Sequence, residues 1–172
     1  MYLLINLIAL SVIVQYNGVS HGLQDRPLVG LLAQEYWAPG AVNQSHIAAS
    51  YVKYLESAGA RVVPVMINET EQYYKQIIAE TNGLLIPGGD QNLRTSGYAI
   101  AGAHLVKYAH ANASRPYPIW TTCLGFELVA LLMSKLPALG SCDTNDVALP
   151  LNMTMGFKES RMFSGVNPSI VK

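Results

Sequence analysis

Charge and cysteine are both scarce in this sequence. Only 13% of its 172 residues are Asp, Glu, Lys or Arg, and eleven basic side chains balance eleven acidic ones. Lys and Arg do not cluster anywhere, so we expect no nucleic-acid partner. With just two cysteines, Cys123 and Cys142, the chain is not a disulfide scaffold. An apolar fraction of 51% argues against disorder, and the length suits a single domain.

Closely spaced metal ligands are also missing. The two cysteines are far apart, and the four histidines form no zinc-binding pattern with them or with one another. The sequence therefore predicts neither a metal site nor a bound cofactor.

One uncharged apolar run stands apart at the N-terminus. It covers Leu3 to Val14, is short for a membrane span, and is followed by small residues at Gly18, Ser20 and Gly22. This pattern predicts a secretory signal peptide over residues 1–20, with an N-terminal anchor or a buried strand as the alternatives. We therefore expect a secreted or lysosomal protein that has no stable membrane anchor.

Four Asn-X-Ser/Thr sequons agree with export. A single sequon carries little weight because the tripeptide is common by chance, but four behind a signal-like segment are more persuasive. We predict glycosylation at the four asparagines concerned, Asn43, Asn68, Asn112 and Asn152.

From Arg26 onward, short apolar runs alternate with amphipathic stretches. Strands are predicted at 28–32, 61–66, 83–86 and 117–120. Helices are predicted at 45–58, from a cap at Asn68 to about 79, from 101 to near 112, and over 126–133. Strands alternating with helices at this spacing favour right-handed crossovers and a parallel sheet covered on both faces. The expected fold is a three-layer α/β sandwich with a mainly parallel central sheet.

A cysteine stands directly between the fourth strand and the helix after it. A sharp turn there would expose Cys123 at the C-terminal ends of the strands, where open parallel sheets bind ligands, and the helix N-terminus would favour a thiolate. Gly125 supplies the small neighbour that a nucleophile elbow needs, whereas Thr121 does not. The alternative is an inert, buried cysteine. Residue type alone favours this alternative, because free cysteines are commonly buried.

A second turn, Pro87-Gly88-Gly89, is predicted at the same edge of the sheet. Its bare backbone would bring N–H groups close to Cys123, and one of them could form an oxyanion hole with the N–H of Leu124. Taken alone, the glycine pair is equally consistent with an ordinary turn. Gly88 and His46, which precedes the first helix, are the candidate substrate-binding residues.

These residues lie within longer stretches that resemble the gamma-glutamyl hydrolase family. That family is a branch of the class I glutamine amidotransferase-like superfamily, which has a flavodoxin-like fold. The matching stretches are 26–30, 47–65, 83–89, 122–127 and 146–152, so the similarity covers nearly all of 26–163. We expect residues 26–172 to form the N-terminal part of such a domain, truncated at its C-terminal end.

The resemblance implies a chemistry for the site. Cys123 would attack the gamma-amide carbonyl of a folylpoly-gamma-glutamate or gamma-glutamyl peptide and form a thioester that water hydrolyses. Gly89 and Leu124 match the positions expected to donate oxyanion N–H groups. The resemblance is also compatible with a homodimer.

Three features depart from the family pattern. Thr121 stands where Gly is usual, and Glu159 stands where many members have His. The family's catalytic histidine, in a Trp-His-Pro-Glu-like motif, does not occur within residues 1–172, so we expect these residues alone to be inactive. The alternatives are a different amidase of the superfamily and a non-catalytic secreted isoform that retains the pocket.

Export is testable in a secretory host. We expect a mature N-terminus near His21 or Leu23 and a mobility shift after glycosidase treatment, because the signal-like run and the sequons both predict passage through the secretory pathway. N-terminal sequencing and gel mobility measure the two effects. A band that retains Met1 and does not shift would contradict the prediction.

Overall fold

The computed structural model describes residues 26–37, 44–111, 116–134, 138–141, 143, 146–150, 152–160 and 163–167. The predicted signal peptide at 1–20, the sequon asparagines Asn43 and Asn112, and Cys142 lie outside these residues. The chain divides after Leu139 into two compact units.

A four-stranded parallel sheet forms the centre of the first unit. Its strands are β1 (Leu28–Leu32), β4 (Arg61–Val65), β5 (Gly83–Ile86) and β6 (Ile119–Thr121). They lie side by side in the order β4-β1-β5-β6, with parallel pairing throughout. Two short strands, β2 (Gln34–Glu35) and β3 (Ser45–His46), form a separate antiparallel pair. The predicted α/β class and mainly parallel sheet are confirmed.

Four helices cover this sheet, namely α1 (Ala49–Ser57), α2 (Glu71–Glu80), α3 (Gly97–Ala111) and α4 (Leu124–Met133). Helix α3 packs against both α2 and α4, so these three helices form one connected layer. Helix α1 lies against β1 and β4. Across the described ranges, no helix combines the length and the apolar character needed to cross a membrane.

Both faces of the central strands are buried. Leu32, Leu84 and Ile86 belong to the main apolar cluster, to which α2 and α3 contribute most of the helical side chains. Leu31 and Leu85 are fully buried as well, although they lie outside that cluster. Because successive strand residues point to opposite faces, the second face must also be covered. This is the layering that a three-layer sandwich requires.

The proline in β4 agrees with an edge position. Pro64 has no N–H to donate to a sheet ladder, and β4 pairs with β1 alone among the described strands. Among the described strands, β4 therefore forms one edge of the sheet.

The first helix begins later than its apolar spacing predicts. Ser45 and His46 pair with Glu35 and Gln34 in the β2–β3 ladder, and α1 begins at Ala49. The predicted start at residue 45 was wrong because main-chain pairing with β2 takes these residues into a strand.

Thr70, and not Asn68, caps α2. The Thr70 side chain accepts a hydrogen bond from the Tyr73 N–H at 3.2 Å, which satisfies one of the free donors of the first turn. Asn68 has a φ of 60°, a left-handed conformation that asparagine tolerates better than most residues. Its side chain packs so closely on Gly97 that a Cβ there would overlap it. The predicted cap at Asn68 was therefore wrong.

Helix α4 is apolar on most sides, yet it buries little. Among the residues whose placement is described, only Gly125 and Leu128 of this helix are buried, and Phe126 is 65% exposed. The central packing that its composition predicts is not observed within the described part of the chain.

The second unit, Gly140–Lys172, has little regular structure in its described part. It contains one 3-10 turn at Phe157–Glu159, and the rings of Phe157 and Phe163 meet edge to face at 5.9 Å. Glu159 and Asn152 are exposed.

The asymmetric burial of α4 can be tested by two matched truncations. Leu128→Ala should lower the free energy of unfolding by about 2–5 kcal/mol, because Leu128 is 1% exposed and packs on Gly102 of α3. Leu132→Ala, in the same helix but 40% exposed, should cost clearly less, under about 1 kcal/mol. Urea unfolding of both variants measures the difference, and equal losses would contradict this packing.

Candidate active site at a strand–helix turn

Cys123 forms the junction between β6 and α4. It is the N-cap of α4, with a φ of 50° and a ψ of −118°. A non-glycine residue rarely adopts a positive φ, and strained backbone of this kind clusters at functional sites. A nucleophile elbow has the same organisation, a sharp strained turn that links a strand to a helix and exposes the side chain. The Cys123 side chain is exposed.

Backbone hydrogen bonds hold both sides of this turn. The Thr122 N–H donates to the Ile86 carbonyl at 3.2 Å, which ties the turn to the end of β5. The Gly125 N–H donates to the Thr122 carbonyl at 2.9 Å, and the Phe126 N–H donates to the Cys123 carbonyl at 2.8 Å. The cysteine is thus fixed between the end of β5 and the first turn of α4.

Gly125 allows α4 to start this close to β5. A Cβ on Gly125 would overlap the carbonyl oxygen of Ile86, so no larger residue fits without movement. Thr121, the other position where a small residue is usual, is the last residue of β6 and pairs with Ile86 in the parallel ladder. The threonine therefore belongs to the sheet, and the crowded position of the turn is Gly125.

The Pro87-Gly88-Gly89 turn runs beside the cysteine. A Cβ built on Gly88 would lie 2.9 Å from the Cβ of Cys123 and 3.0 Å from Tyr51 Oη. The Gly88 N–H donates to Tyr51 Oη at 3.0 Å, and the Gly88 carbonyl accepts from Gln34 Nε2 at 3.1 Å. Two side chains from distant parts of the sequence therefore hold one glycine against the cysteine.

Two backbone N–H groups next to this site are left without an acceptor. Within the described ranges, no residue accepts a hydrogen bond from the N–H of Gly89 or from that of Leu124. Leu124 is the first residue of α4, where backbone donors lack helical partners. These are the two residues predicted to donate to an oxyanion. Gly88, a candidate substrate-binding residue, instead uses its N–H on Tyr51.

Tyr98 of α3 fastens the same turn. Its hydroxyl is buried and donates to the Pro87 carbonyl at 2.7 Å. Burial raises the pKa of Tyr98, and the nearby Tyr51 hydroxyl acts in the same direction. The phenol therefore stays protonated, and able to donate, throughout the physiological pH range.

Sequence reasoning missed Gln34, Tyr51 and Tyr98 as residues of this site. Tyr51 lies within the helix predicted at 45–58, and Tyr98 belongs to no motif. One signal was available at Gln34, a polar residue that directly follows a run of apolar strand residues. A buried polar side chain has to find a hydrogen-bond partner.

His46, the other candidate substrate-binding residue, lies in β3 and is exposed. Its ring meets that of Tyr36 edge to face at 5.5 Å, and it lines a cavity of about 320 Å³ that also includes Gly89 and Asp90. No histidine in the described ranges hydrogen-bonds to Cys123. No group of three or more His, Cys, Asp or Glu side chains there is placed to hold a metal ion.

In this parallel α/β sheet, the elbow presents a cysteine beside backbone N–H groups that have no acceptor in the described part of the chain. Such an arrangement is suited to nucleophilic attack by a thiol. Residues 27–134 match the family described as Peptidase C26, and the chain belongs to that family. The family resemblance predicted from the sequence is confirmed, and the parallel sheet is consistent with the glutamine amidotransferase-like fold expected from it.

Curated relatives share this similarity. The chain is 43% identical to the gamma-glutamyl hydrolase of Mus musculus over 147 residues, which cover 84% of this chain and 46% of the relative. It is 45% identical to the gamma-glutamyl hydrolase of Homo sapiens over 142 residues, which cover 80% of this chain and 45% of the relative. Gamma-glutamyl hydrolase B of Dictyostelium discoideum is 32% identical over 157 residues, which cover 87% of this chain and 45% of the relative. The chain thus spans less than half the length of these relatives.

The exposed elbow predicts selective alkylation. Iodoacetamide should label Cys123 faster than Cys142 at near-neutral pH, because the Cys123 side chain is exposed at the turn before α4. Gly125→Ala should displace the turn and change the labelling rate of Cys123. It should also lower the free energy of unfolding by about 1–3 kcal/mol, because the added methyl group overpacks the contact with Ile86. Gly140→Ala is the control, because a Cβ there meets nothing within 4 Å. Peptide mapping after a short exposure measures both rates, and faster labelling of Cys142 would contradict the assignment.

Proposed function

We propose that this protein hydrolyses gamma-glutamyl bonds, with the Cys123 thiol as the nucleophile. The observation that carries the proposal is the strained elbow at Cys123, which lies beside two backbone N–H groups that have no acceptor among the described residues. Similarity to gamma-glutamyl hydrolases suggests the substrate class, a folylpoly-gamma-glutamate or a gamma-glutamyl peptide.

The first half-reaction makes a thioester. Cys123 Sγ attacks the gamma-carbonyl carbon, and the electron pair of the C=O double bond moves onto oxygen to give a tetrahedral oxyanion. The N–H groups of Gly89 and Leu124 donate to this oxygen and stabilise its developing charge. Collapse of the intermediate breaks the C–N bond, and the departing amine takes up the proton that the Cys123 thiol has given up.

The second half-reaction restores the thiol. Water attacks the thioester carbon, the same two N–H groups stabilise the new oxyanion, and the C–S bond breaks to release a gamma-carboxylate. Both half-reactions move protons, and a positioned general acid–base contributes about 10²–10⁴-fold to such a step.

The acid–base group is not assigned to a described histidine, since none hydrogen-bonds to Cys123. The resemblance places it in a Trp-His-Pro-Glu-like motif, which residues 1–172 do not contain. We therefore propose that the 172 residues alone accept an acyl group but do not turn over amides.

We also propose a signal peptide over residues 1–20 and a secreted or lysosomal location. The sequons at Asn68 and Asn152 support this proposal because both asparagines are exposed. Residues 26–172 would then form part of a gamma-glutamyl hydrolase domain.

Glutamate release tests the proposed function. A chain extended to include the histidine motif should release glutamate from a gamma-linked diglutamyl peptide but not from the alpha-linked isomer. Cys123→Ala should lower this rate by at least about 10³-fold, because the nucleophile is lost. Cys142→Ala is the matched control and should retain activity.

The 172-residue chain, assayed in parallel, should release no glutamate. Release that disappears in Cys123→Ala would contradict the proposed absence of a base and would direct attention to His46. Failure of the extended chain to release glutamate would reject the proposed function and favour a non-catalytic role.

A further inference from the structure

Both polar backbone groups of Gly88 are occupied by side chains. The N–H donates to Tyr51 Oη of α1 at 3.0 Å, and the carbonyl accepts from Gln34 Nε2 of β2 at 3.1 Å. Because a carbonyl oxygen can only accept, the amide nitrogen of Gln34 must be the atom that faces it. Gln34 is 6% exposed, so this bond is shielded from competing water.

The carbonyl of Gly88 and the N–H of Gly89 belong to the same peptide group. This group is planar, and no cis peptide bond occurs among the described residues, so the two dipoles point in opposite directions. The Gln34 bond to the carbonyl therefore directs the Gly89 N–H away from Gln34.

Without such a bond this peptide would be free to flip. Neither glycine carries a Cβ that would restrict its φ and ψ angles. Both positions nevertheless require glycine. A Cβ on Gly88 would lie too close to the Cβ of Cys123, and a Cβ on Gly89 would overlap the Gln34 amide. A flip would replace a donor with a carbonyl oxygen, which would repel an oxyanion. The side-chain hydrogen bonds supply the restriction that the glycines lack.

We propose that Gln34 and Tyr51 are positioning residues. Gln34 holds the Gly88–Gly89 peptide and Tyr51 holds the preceding Pro87–Gly88 peptide, so that the Gly89 N–H is directed at the carbonyl oxygen of an acyl group on Cys123. This inference rests on the proposed function, because that function gives the Gly89 N–H its role. Gln34 and Tyr51 act through these two peptide groups and not on the reacting atoms.

Two reactions of the same thiol separate positioning from general damage. Alkylation by iodoacetamide displaces iodide at a saturated carbon and forms no oxyanion. Acylation by an N-acetylglutamate gamma-(4-nitrophenyl) ester forms an S–C bond through an oxyanion and breaks the ester C–O bond. Nitrophenolate leaves with its electron pair and needs no proton, so this acylation can proceed on the 172-residue chain without a general acid.

Gln34→Glu is the most informative variant. An ionised carboxylate has nearly the shape of the amide but can only accept, so it favours the flipped peptide. At neutral pH we expect the ratio of acylation rate to alkylation rate to fall by about 10²–10³-fold, the usual effect of losing one oxyanion donor. The ratio should recover as the pH falls and the introduced carboxyl group becomes protonated, because it can then donate to the Gly88 carbonyl. A merely structural defect would not recover in this way.

Two further variants complete the experiment. Tyr51→Phe removes the acceptor of the Gly88 N–H without adding charge and should lower the ratio by about tenfold, the effect of one lost hydrogen bond. Gln91→Glu adds the same negative charge in the cavity that contains Gly89, yet Gln91 bonds to Trp37 and Glu35 instead of Gly88. This control measures the effect of the added charge alone, and its ratio should fall clearly less than that of Gln34→Glu.

The outcomes are distinguishable. A pH-reversible loss in Gln34→Glu, with a clearly smaller loss in Gln91→Glu, supports the inference. If Gln34→Glu and Tyr51→Phe both keep the wild-type ratio while the wild type is acylated normally, the inference is overturned and the proposed function stands. A wild type that is alkylated but never acylated rejects the proposed function, and the role of the Gly89 N–H with it. If Gln34→Glu fails to fold, the Tyr51→Phe ratio decides.

Discussion

The contact between Gly125 and the backbone of Ile86 determines the geometry of the whole site. Because no side chain separates them, α4 begins directly against the end of β5. Cys123 must then turn the chain within one residue, which accounts for its φ of 50°. The chain beyond Ile86 continues into the Pro87-Gly88-Gly89 turn, and a Cβ on Gly88 would lie only 2.9 Å from the Cβ of Cys123. The thiol and the candidate oxyanion donors thus meet as consequences of one close approach between a strand and a helix.

Neutral side chains hold the turn that follows β5. Gln34, Tyr51 and Tyr98 come from β2, α1 and α3, and each makes a hydrogen bond to the turn that follows β5. Neutral partners suit a partly buried position because they avoid the large cost of removing a charge from water. The raised pKa of Tyr98 keeps its hydroxyl neutral and donating. Among the described residues, these neutral hydrogen bonds hold the glycine turn, and no ion pair contributes.

The parts of this arrangement that are local in sequence could be predicted from it. The strands Leu28–Leu32 and Gly83–Ile86 have the predicted bounds, because a strand buried on both faces reads as a continuous apolar run. The position of Cys123 followed from a strand adjoining a helix. What could not be predicted depends on distant partners. Gln34 and Tyr51 contact Gly88 across 54 and 37 positions of sequence, and the β2–β3 pairing displaced the start of α1. The low burial of α4 likewise depends on what packs against it, which helical periodicity does not reveal.

Acylation of Cys123 by a gamma-glutamyl group is the central claim, and mass spectrometry tests it most directly. The chain is exposed briefly to the gamma-(4-nitrophenyl) ester, quenched in acid and digested, and each cysteine peptide is weighed before and after hydroxylamine. The elbow, with two N–H groups that have no acceptor among the described residues, predicts an acyl mass increment on the Cys123 peptide that hydroxylamine removes, with none on the Cys142 peptide. An increment on Cys142, or none on Cys123 while its thiol is still alkylated, would contradict the proposed chemistry.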